Sequence, residues 1–378
     1  MNQKYRILHA DDSSVVRKLL GEVFERSQKC EIAFSAKHGK EAVDNFRRID
    51  PDVVVLDVEM PVMDGIEATT AIRAMSPQVP IIMCSSLTTR GGEATLDALA
   101  RGATDYVAKP TGSGHLDDAL KQLSDELVPK VLTWAARYRK HPAVGDEGRA
   151  LASTSHPPVQ RTSRAIEQDG GRRPRRAAPV RVVAVGVSTG GPTALASLLS
   201  QLPRDLDVPI LIAQHMPPIF TTLLAERLSS TSPFNVKEAV DGQTLSAGQV
   251  WIAPGDYHLT VVSQGARFQS KLCQSPPENS CRPSVDVLFR SVATAYRDTA
   301  LAIVLTGMGK DGVAGAEKIQ KAGGRVFVQD EASSTVWGMP RAVWEAGLAD
   351  KVVPLGDLPN EIARTVGRST SLMPMSTA

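Results

Sequence analysis

Apolar and polar positions follow two rhythms along this chain. Short runs of nearly continuous Val, Ile and Leu (YRILHA, EIAFSA, DVVVLDV, PIIMCSS, DYVA) alternate with stretches such as SSVVRKLLGEVFE and GKEAVDNFRR, where apolar residues recur at helical spacing. Strands apolar on both faces must be covered on both faces, so residues 1–125 are expected to form a doubly wound parallel sheet. The pattern returns over 180–367, where VRVVAVG, PILIAQ, LAIVLTG, GRVFVQ and KVVPL are spaced by helical segments. That second α/β unit is expected to carry a β-hairpin insertion, with its strands around 250–253 and 259–262.

Between the two units the periodicity fades. Residues 126–179 are expected to be a helical extension followed by a flexible linker rich in Arg, Pro and Gly, and 368–378 a disordered tail. The linker's RRPRR at 172–176 has no interleaved aromatics for base stacking and reads as a solvated tether.

Composition narrows the class. In 378 residues, 43 basic side chains nearly cancel 41 acidic ones, and a net charge of +2 gives no global pull toward nucleic acid. The four cysteines show neither a C-x-x-C nor a zinc spacing, which disfavours a disulfide framework and a structural metal and points to a reducing compartment. Neither a signal-peptide core nor an apolar run of membrane length is present, so a cytoplasmic protein without membrane insertion is expected.

Candidate chemistry collects at predicted strand ends, where ligands gather in such sheets. Asp11 and Asp12 follow the first strand, Asp57 the third, and Lys109 precedes Pro110 after the fifth. Any one aspartate could be a helix cap, as Asp12 or Ser13 would be for SSVVRKLL. The set together suits Mg²⁺ held by carboxylates beside a phosphoryl group, with Lys109 supplying positive charge.

With DD at 11–12, LDVEMPVMDG at 56–65, CSS at 84–86 and DYVAKP at 105–110, the first unit resembles a bacterial response-regulator receiver domain. The resemblance implies a flavodoxin-like fold of five parallel strands. It also implies phosphorylation at Asp57, Mg²⁺ held by Asp11, Asp12, Asp57 and the backbone carbonyl of Glu59, and switch roles for Ser85, Tyr106 and Lys109. Its phosphodonor would be a chemotaxis histidine kinase.

In the second unit, VGVSTGG at 185–191 contains G-x-S-x-G in a strand-turn-helix setting, the pattern of a nucleophile elbow at Ser188. The same pattern also fits a phosphate loop or a plain turn. A serine nucleophile needs a base and a group to orient it. Of the seven histidines, His215 and His258 lie in this unit, and His215 follows PILIAQ at a strand end. Asp311, in LTGMGKDG, lies in a glycine-rich loop at the same edge; Asp241, Asp256 and Asp286 compete with it.

GVSTGGPTAL, QHMPPIFT, WIAPGDYH, CRPSVDVLF and LTGMGKDGVAG together resemble the catalytic domain of chemotaxis protein-glutamate methylesterases, and the receiver-linker-esterase order matches that family. The resemblance implies a Rossmann-like domain with a Ser188, His215, Asp311 triad and backbone oxyanion donors at Met308 and Thr189. The esterase reaction would need no cofactor. The implied substrates are methyl-esterified glutamates, and certain glutamines, on the cytoplasmic helical bundle of chemoreceptors. One departure is Ser280-Cys281, where Arg-His is expected. A DNA-binding output domain is disfavoured because SVDVLFRSVATAY carries no basic stripe, and a nucleotide site because GVSTGG lacks the Gly-Lys-Ser/Thr ending.

Overall fold

The computed structural model describes residues 4–110, 116–140, 178–265 and 267–367; the expected linker with its arginine run, and the expected tail, lie outside the described residues. The first unit runs β1 (Tyr5–Ala10), α1 (Ser14–Ser27), β2 (Cys30–Ala36), α2 (Gly39–Ile49), β3 (Val53–Asp57), α3 (Gly65–Met75), β4 (Ile81–Ser85), α4 (Thr89–Ala100), β5 (Asp105–Ala108) and α5 (Leu116–Lys140). Its five strands pair in parallel in the order β2-β1-β3-β4-β5. Every residue of β3, β4 and β5 is buried, as the continuous apolar runs require. Ser13 caps α1 by accepting from Val16 N–H, and Asp64 with Glu67 closes a capping box on α3. The capping role therefore falls to Ser13 and leaves Asp12 exposed.

The second unit runs β6 (Val182–Val187), α6 (Gly191–Gln201), β7 (Ile210–Gln214), α7 (Phe220–Thr231), β8 (Asn235–Glu238), β9 (Gln249–Ile252), β10 (His258–Gln264) and β11 (Arg267–Cys273). It continues with α8 (Val285–Tyr296), β12 (Ala300–Val304), α9 (Val313–Lys321), β13 (Arg325–Gln329), α10 (Met339–Glu345), β14 (Lys351–Val353) and α11 (Leu358–Gly367). Seven parallel strands take the order β14-β13-β12-β6-β7-β9-β8. The chain leaves β6 toward β7 on one side and later returns to β12 on the other, so the topological switch lies between β6 and β12. A crevice at the carboxyl ends of those strands is the expected place for a site.

The hairpin is present with different strands. Residues 249–252 form β9 inside the main sheet beside β7, and β10 pairs antiparallel with β11. The Pro254-Gly255-Asp256 stretch that resembles a hairpin turn leads the chain out of the sheet instead. A Cβ on Gly255 would stand 2.2 Å from Pro218 N, so this stretch packs against the loop after β7. The turn of the real hairpin contains Gly265, at φ +62°.

The two units pack together at the carboxyl end of the second sheet. Tyr106 stacks on Phe220 with ring centroids 5.2 Å apart and planes 9° from parallel. Leu223 lies over Gly92, where an added Cβ would come within 2.5 Å of it. The far half of α5 reaches further: Trp134 and Ala135 share an apolar cluster with Val336, against which Met308 packs. Arg137 closes this contact by donating to the carbonyl oxygens of Ser334, at 2.9 Å, and Thr335.

Candidate active site and receiver site

Ser188 occupies the turn between β6 and α6. Its N–H donates to Thr306 O at 3.0 Å, and its carbonyl accepts from Gly191 N–H at 2.8 Å and Gln214 Nε2 at 3.0 Å. Gly190 takes φ +78°, and a Cβ there would meet Thr335 Cβ at 2.4 Å; a Cβ on Gly191 would overlap Gln214 Oε1 at 1.8 Å. The glycines of VGVSTGG are therefore required by a left-handed turn in a crowded place.

His215 directly follows β7, and its N–H donates to Val187 O at 3.1 Å. Its Nε2–H donates to Asp311 Oδ2 at 2.8 Å. Asp311 lies between β12 and α9, where its carboxylate accepts five further hydrogen bonds: from the N–H groups of Val285, Asp286 and Gly312, Ser284 Oγ and Asn279 Nδ2, at 2.7–3.1 Å. Two of those donors are first-turn N–H groups of α8, so Asp311 also sits at the positive end of that helix. Burial alone would raise the Asp311 carboxyl, but His215 and the backbone donors outweigh it and hold it down at about 2. Burial likewise would lower His215, and the Asp311 carboxylate with the Cys281 sulfur instead holds the imidazole up to about 9.

The competing residues are committed elsewhere. His258 is fully buried, with Nδ1 accepting from Ser284 N–H and Nε2 facing Pro276 O, both at 3.2 Å. Asp241 accepts from Leu272 N–H, Asp256 pairs with Arg282, and Asp286 receives the N–H groups of Gly312 and Gly315.

Ser188, Thr189 and His215 line one cavity of about 30 Å³, roofed by Leu99, Asp105, Tyr106 and Lys130 of the first unit. Among the described residues no hydrogen bond joins Ser188 Oγ to His215, and the N–H groups of Thr189 and Met308 donate to no protein acceptor. Sequence reading missed the sulfur of Cys281, 3.4 Å from His215 Nδ1, and the supports that Asn279, Ser284 and Gln214 supply. Apart from the Ser280-Cys281 departure, which marked the loop but no role for it, nothing local in the sequence signals these contacts.

At the switch point of the first sheet, between β1 and β3, Asp11 and Asp57 are buried and Asp12 is exposed, each offering an oxygen within 4.8 Å of the others. Lys109 Nζ bridges Asp11 and Asp57 at 2.8 Å to each. Burial, with Asp11 alongside, pushes the Asp57 carboxyl up to about 6 against the pull of Lys109. Such a set of hard oxygen donors fits Mg²⁺. Ser85 Oγ is buried and donates to Gly91 O at 2.9 Å, Tyr106 is at the contact with Phe220, and Glu59 pairs with Arg90 at the surface.

Residues 7–121 match the family model of the response regulator receiver domain, and residues 183–362 that of CheB methylesterase. A protein from Trichodesmium erythraeum (strain IMS101), named protein-glutamate methylesterase/protein-glutamine glutaminase, is 44% identical over 364 residues, or 96% of this chain and 99% of its own. One of the same name from Nocardioides sp. (strain ATCC BAA-499 / JS614) is 46% identical over 372 residues, 98% of each chain. The crystal structure of the Thermotoga maritima CheB methylesterase catalytic domain is 42% identical, covering 50% of this chain and 99% of that one with a TM-score of 0.48. The chain thus belongs to the protein-glutamate methylesterase/protein-glutamine glutaminase family, with a receiver domain ahead of a CheB methylesterase domain.

Proposed function

We propose that the chain hydrolyses glutamate γ-methyl esters on chemoreceptor helical bundles, releasing methanol, and deamidates receptor glutamines, under control of its phosphorylated receiver. The observation that carries this reading is the meeting of Ser188, His215 and Asp311 at one sheet edge, with the His215–Asp311 hydrogen bond formed and the N–H of Thr189, which lines the same cavity as Ser188, donating to no protein acceptor. Because Nε2 is committed to Asp311, Nδ1 of the neutral imidazole is the nitrogen that takes the Ser188 proton as Oγ attacks the ester carbonyl, so activity is expected to rise with pH as His215 loses its charge. Asp311 then stabilises the imidazolium, and the N–H groups of Thr189 and Met308 receive the oxyanion, each such donor supplying about 3–4 kcal/mol in other acyl-transfer enzymes. His215 returns the proton to the departing methoxide, and water releases the acyl-enzyme. A primary amide passes through the same tetrahedral intermediate, which accounts for deamidation at the same site.

Asp57 is the proposed phospho-acceptor, its donor a chemotaxis histidine kinase. The carboxylates of Asp11, Asp12 and Asp57 and the Glu59 carbonyl would hold Mg²⁺, which when bound offsets charge on the phosphoryl oxygens. Lys109 steadies the same charge from the protein side, and Ser85 and Tyr106 would carry the change to the contact with Phe220. The expected outcome for Ser188→Ala is loss of methanol release from methylated receptor membranes by about a thousand-fold or more, with His215→Ala adding little in the double variant, since triad members act as one unit. Undiminished activity in Ser188→Ala would remove the serine from this role.

A further inference from the structure

Cys281 is presented to His215 by a tight, well-anchored hairpin. Glu278 and Cys281 exchange backbone hydrogen bonds of 3.1 and 2.9 Å, and the two residues between them, Asn279 and Ser280, have φ of +52° and +61°. Arg290 forks onto the Glu278 carboxylate, Asn279 Nδ2 donates to Asp286 and Asp311 at 2.9 and 3.0 Å, and Arg282 Nε pairs with Asp256 at 2.9 Å. So held, Cys281 Sγ stands 3.4 Å from His215 Nδ1.

That spacing is close to what zinc imposes on two ligands. Bonds of about 2.05 Å to nitrogen and about 2.3 Å to sulfur, opened to a tetrahedral angle, put the two atoms about 3.6 Å apart. The far nitrogen of the ring is already arranged for such a role. Nε2–H donates to Asp311 at 2.8 Å, and a carboxylate in that position is the usual outer partner of a metal-bound histidine. His215, Cys281 and Asp311 each offer a ligand atom within 4.8 Å of the other two. Asp311 is saturated by six hydrogen bonds, which places it behind the imidazole and leaves the ion to Nδ1, Sγ and water. Thiolate and imidazole together select a borderline or soft cation over Mg²⁺ or Ca²⁺. Cys281 is only half-buried, and the His215 side chain keeps 12% of its surface open.

We infer that His215 Nδ1 and Cys281 Sγ form a binding site for a thiophilic divalent cation, with Zn²⁺ the best match, and that filling it switches the esterase off. On binding, the Cys281 thiol and the charged His215 imidazole, from Nδ1, each give a proton to solvent, and the thiolate and the freed Nδ1 lone pair both go to the ion, so binding tightens as pH rises. Nδ1 is the only ring nitrogen left to accept the Ser188 proton, so the occupied enzyme has no base. The inhibition rests on the proposed role of His215; the binding does not.

The full-length protein, with Mg²⁺ saturating the receiver aspartates, would be titrated with Co²⁺ as a spectroscopic substitute for Zn²⁺. A thiolate-to-cobalt charge-transfer band is expected in the wild type, in Cys273→Ser and in the inactive Ser188→Ala, and is lost in Cys281→Ser. In methanol release, Zn²⁺ should inhibit the wild type, a chelator should restore it, and Cys281→Ser should need at least about ten-fold more Zn²⁺ for the same inhibition. Cys281→Ala repeats both measurements in case serine disturbs the hairpin. A band that survives in both Cys281 variants, its absence from the wild type, or Zn²⁺ sensitivity unchanged by the substitutions would overturn the proposal. Retained activity in Ser188→Ala would instead count against the esterase mechanism and leave the metal site standing.

Discussion

Asp57 sits where an incoming phosphoryl group would find its counter-charge in place, because Lys109 already bridges it to Asp11. Asp57→Asn keeps the shape and removes the nucleophilic oxygen, so incubation with Mg²⁺ and acetyl phosphate is expected to label the wild type and leave the variant unlabelled. Equal labelling would assign the acceptor elsewhere. Residues of this kind are legible in a sequence because each follows a strand, and strand ends converge in a parallel sheet. The convergence of Ser188, His215 and Asp311 on one sheet edge was readable for the same reason. Cys281 was not, since it reaches His215 from a hairpin 66 positions away whose shape depends on ion pairs with α8 and the loop after β9. Asn279 and Ser284 escaped likewise: their partner Asp311 is fixed only when α8 has docked.

At the scale of elements, α5 does two jobs. Its first turns cover the receiver core through Leu120, Leu123 and Leu127, while Trp134, Ala135 and Arg137 engage the 334–336 loop that backs Gly190 and Met308. Local periodicity marks α5 as amphipathic without saying that its apolar stripe serves two partners. The hairpin insertion was expected, but one of its strands was assigned to 250–253 for a similar reason, because alternation identifies a strand and not its neighbour. If docking restrains the enzyme, the strength of each contact should set basal activity. Arg137 gives two hydrogen bonds to carbonyl oxygens from a partly shielded position, worth about 1 kcal/mol each. The Arg227–Asp97 pair is more open, with the Asp97 side chain 55% exposed, and such pairs contribute about 0–1 kcal/mol. Arg137→Ala is therefore expected to raise unphosphorylated methanol release by up to about thirty-fold, and Arg227→Ala by less. The reverse ranking would show that α5 does not set the docking equilibrium.

For the whole molecule the decisive fact is that the receiver roofs the Ser188 cavity and leaves about 30 Å³ beneath Tyr106 and Leu99. Ser188 is half-buried beside this narrow cavity, and a bulky helical substrate is expected to gain access when the two units part or slide. Joined in one chain, they remain at high effective concentration, and a modest interface suffices to keep the cleft covered much of the time. On the proposed mechanism phosphorylation needs only to bias a two-state equilibrium, and the Tyr106 ring is part of the covering contact with Phe220 through which it would act. Removing residues 1–140 is expected to raise basal esterase activity, phosphodonor to activate the intact chain, and the truncated enzyme to ignore phosphodonor. The competing idea is that the receiver only recruits the enzyme to its signalling complex, in which case truncation leaves turnover of a soluble receptor fragment unchanged. A truncated enzyme no faster than the unphosphorylated full chain on that fragment, with other chemotaxis proteins absent, would favour recruitment. The covered cleft would then be a resting arrangement that substrate displaces unaided.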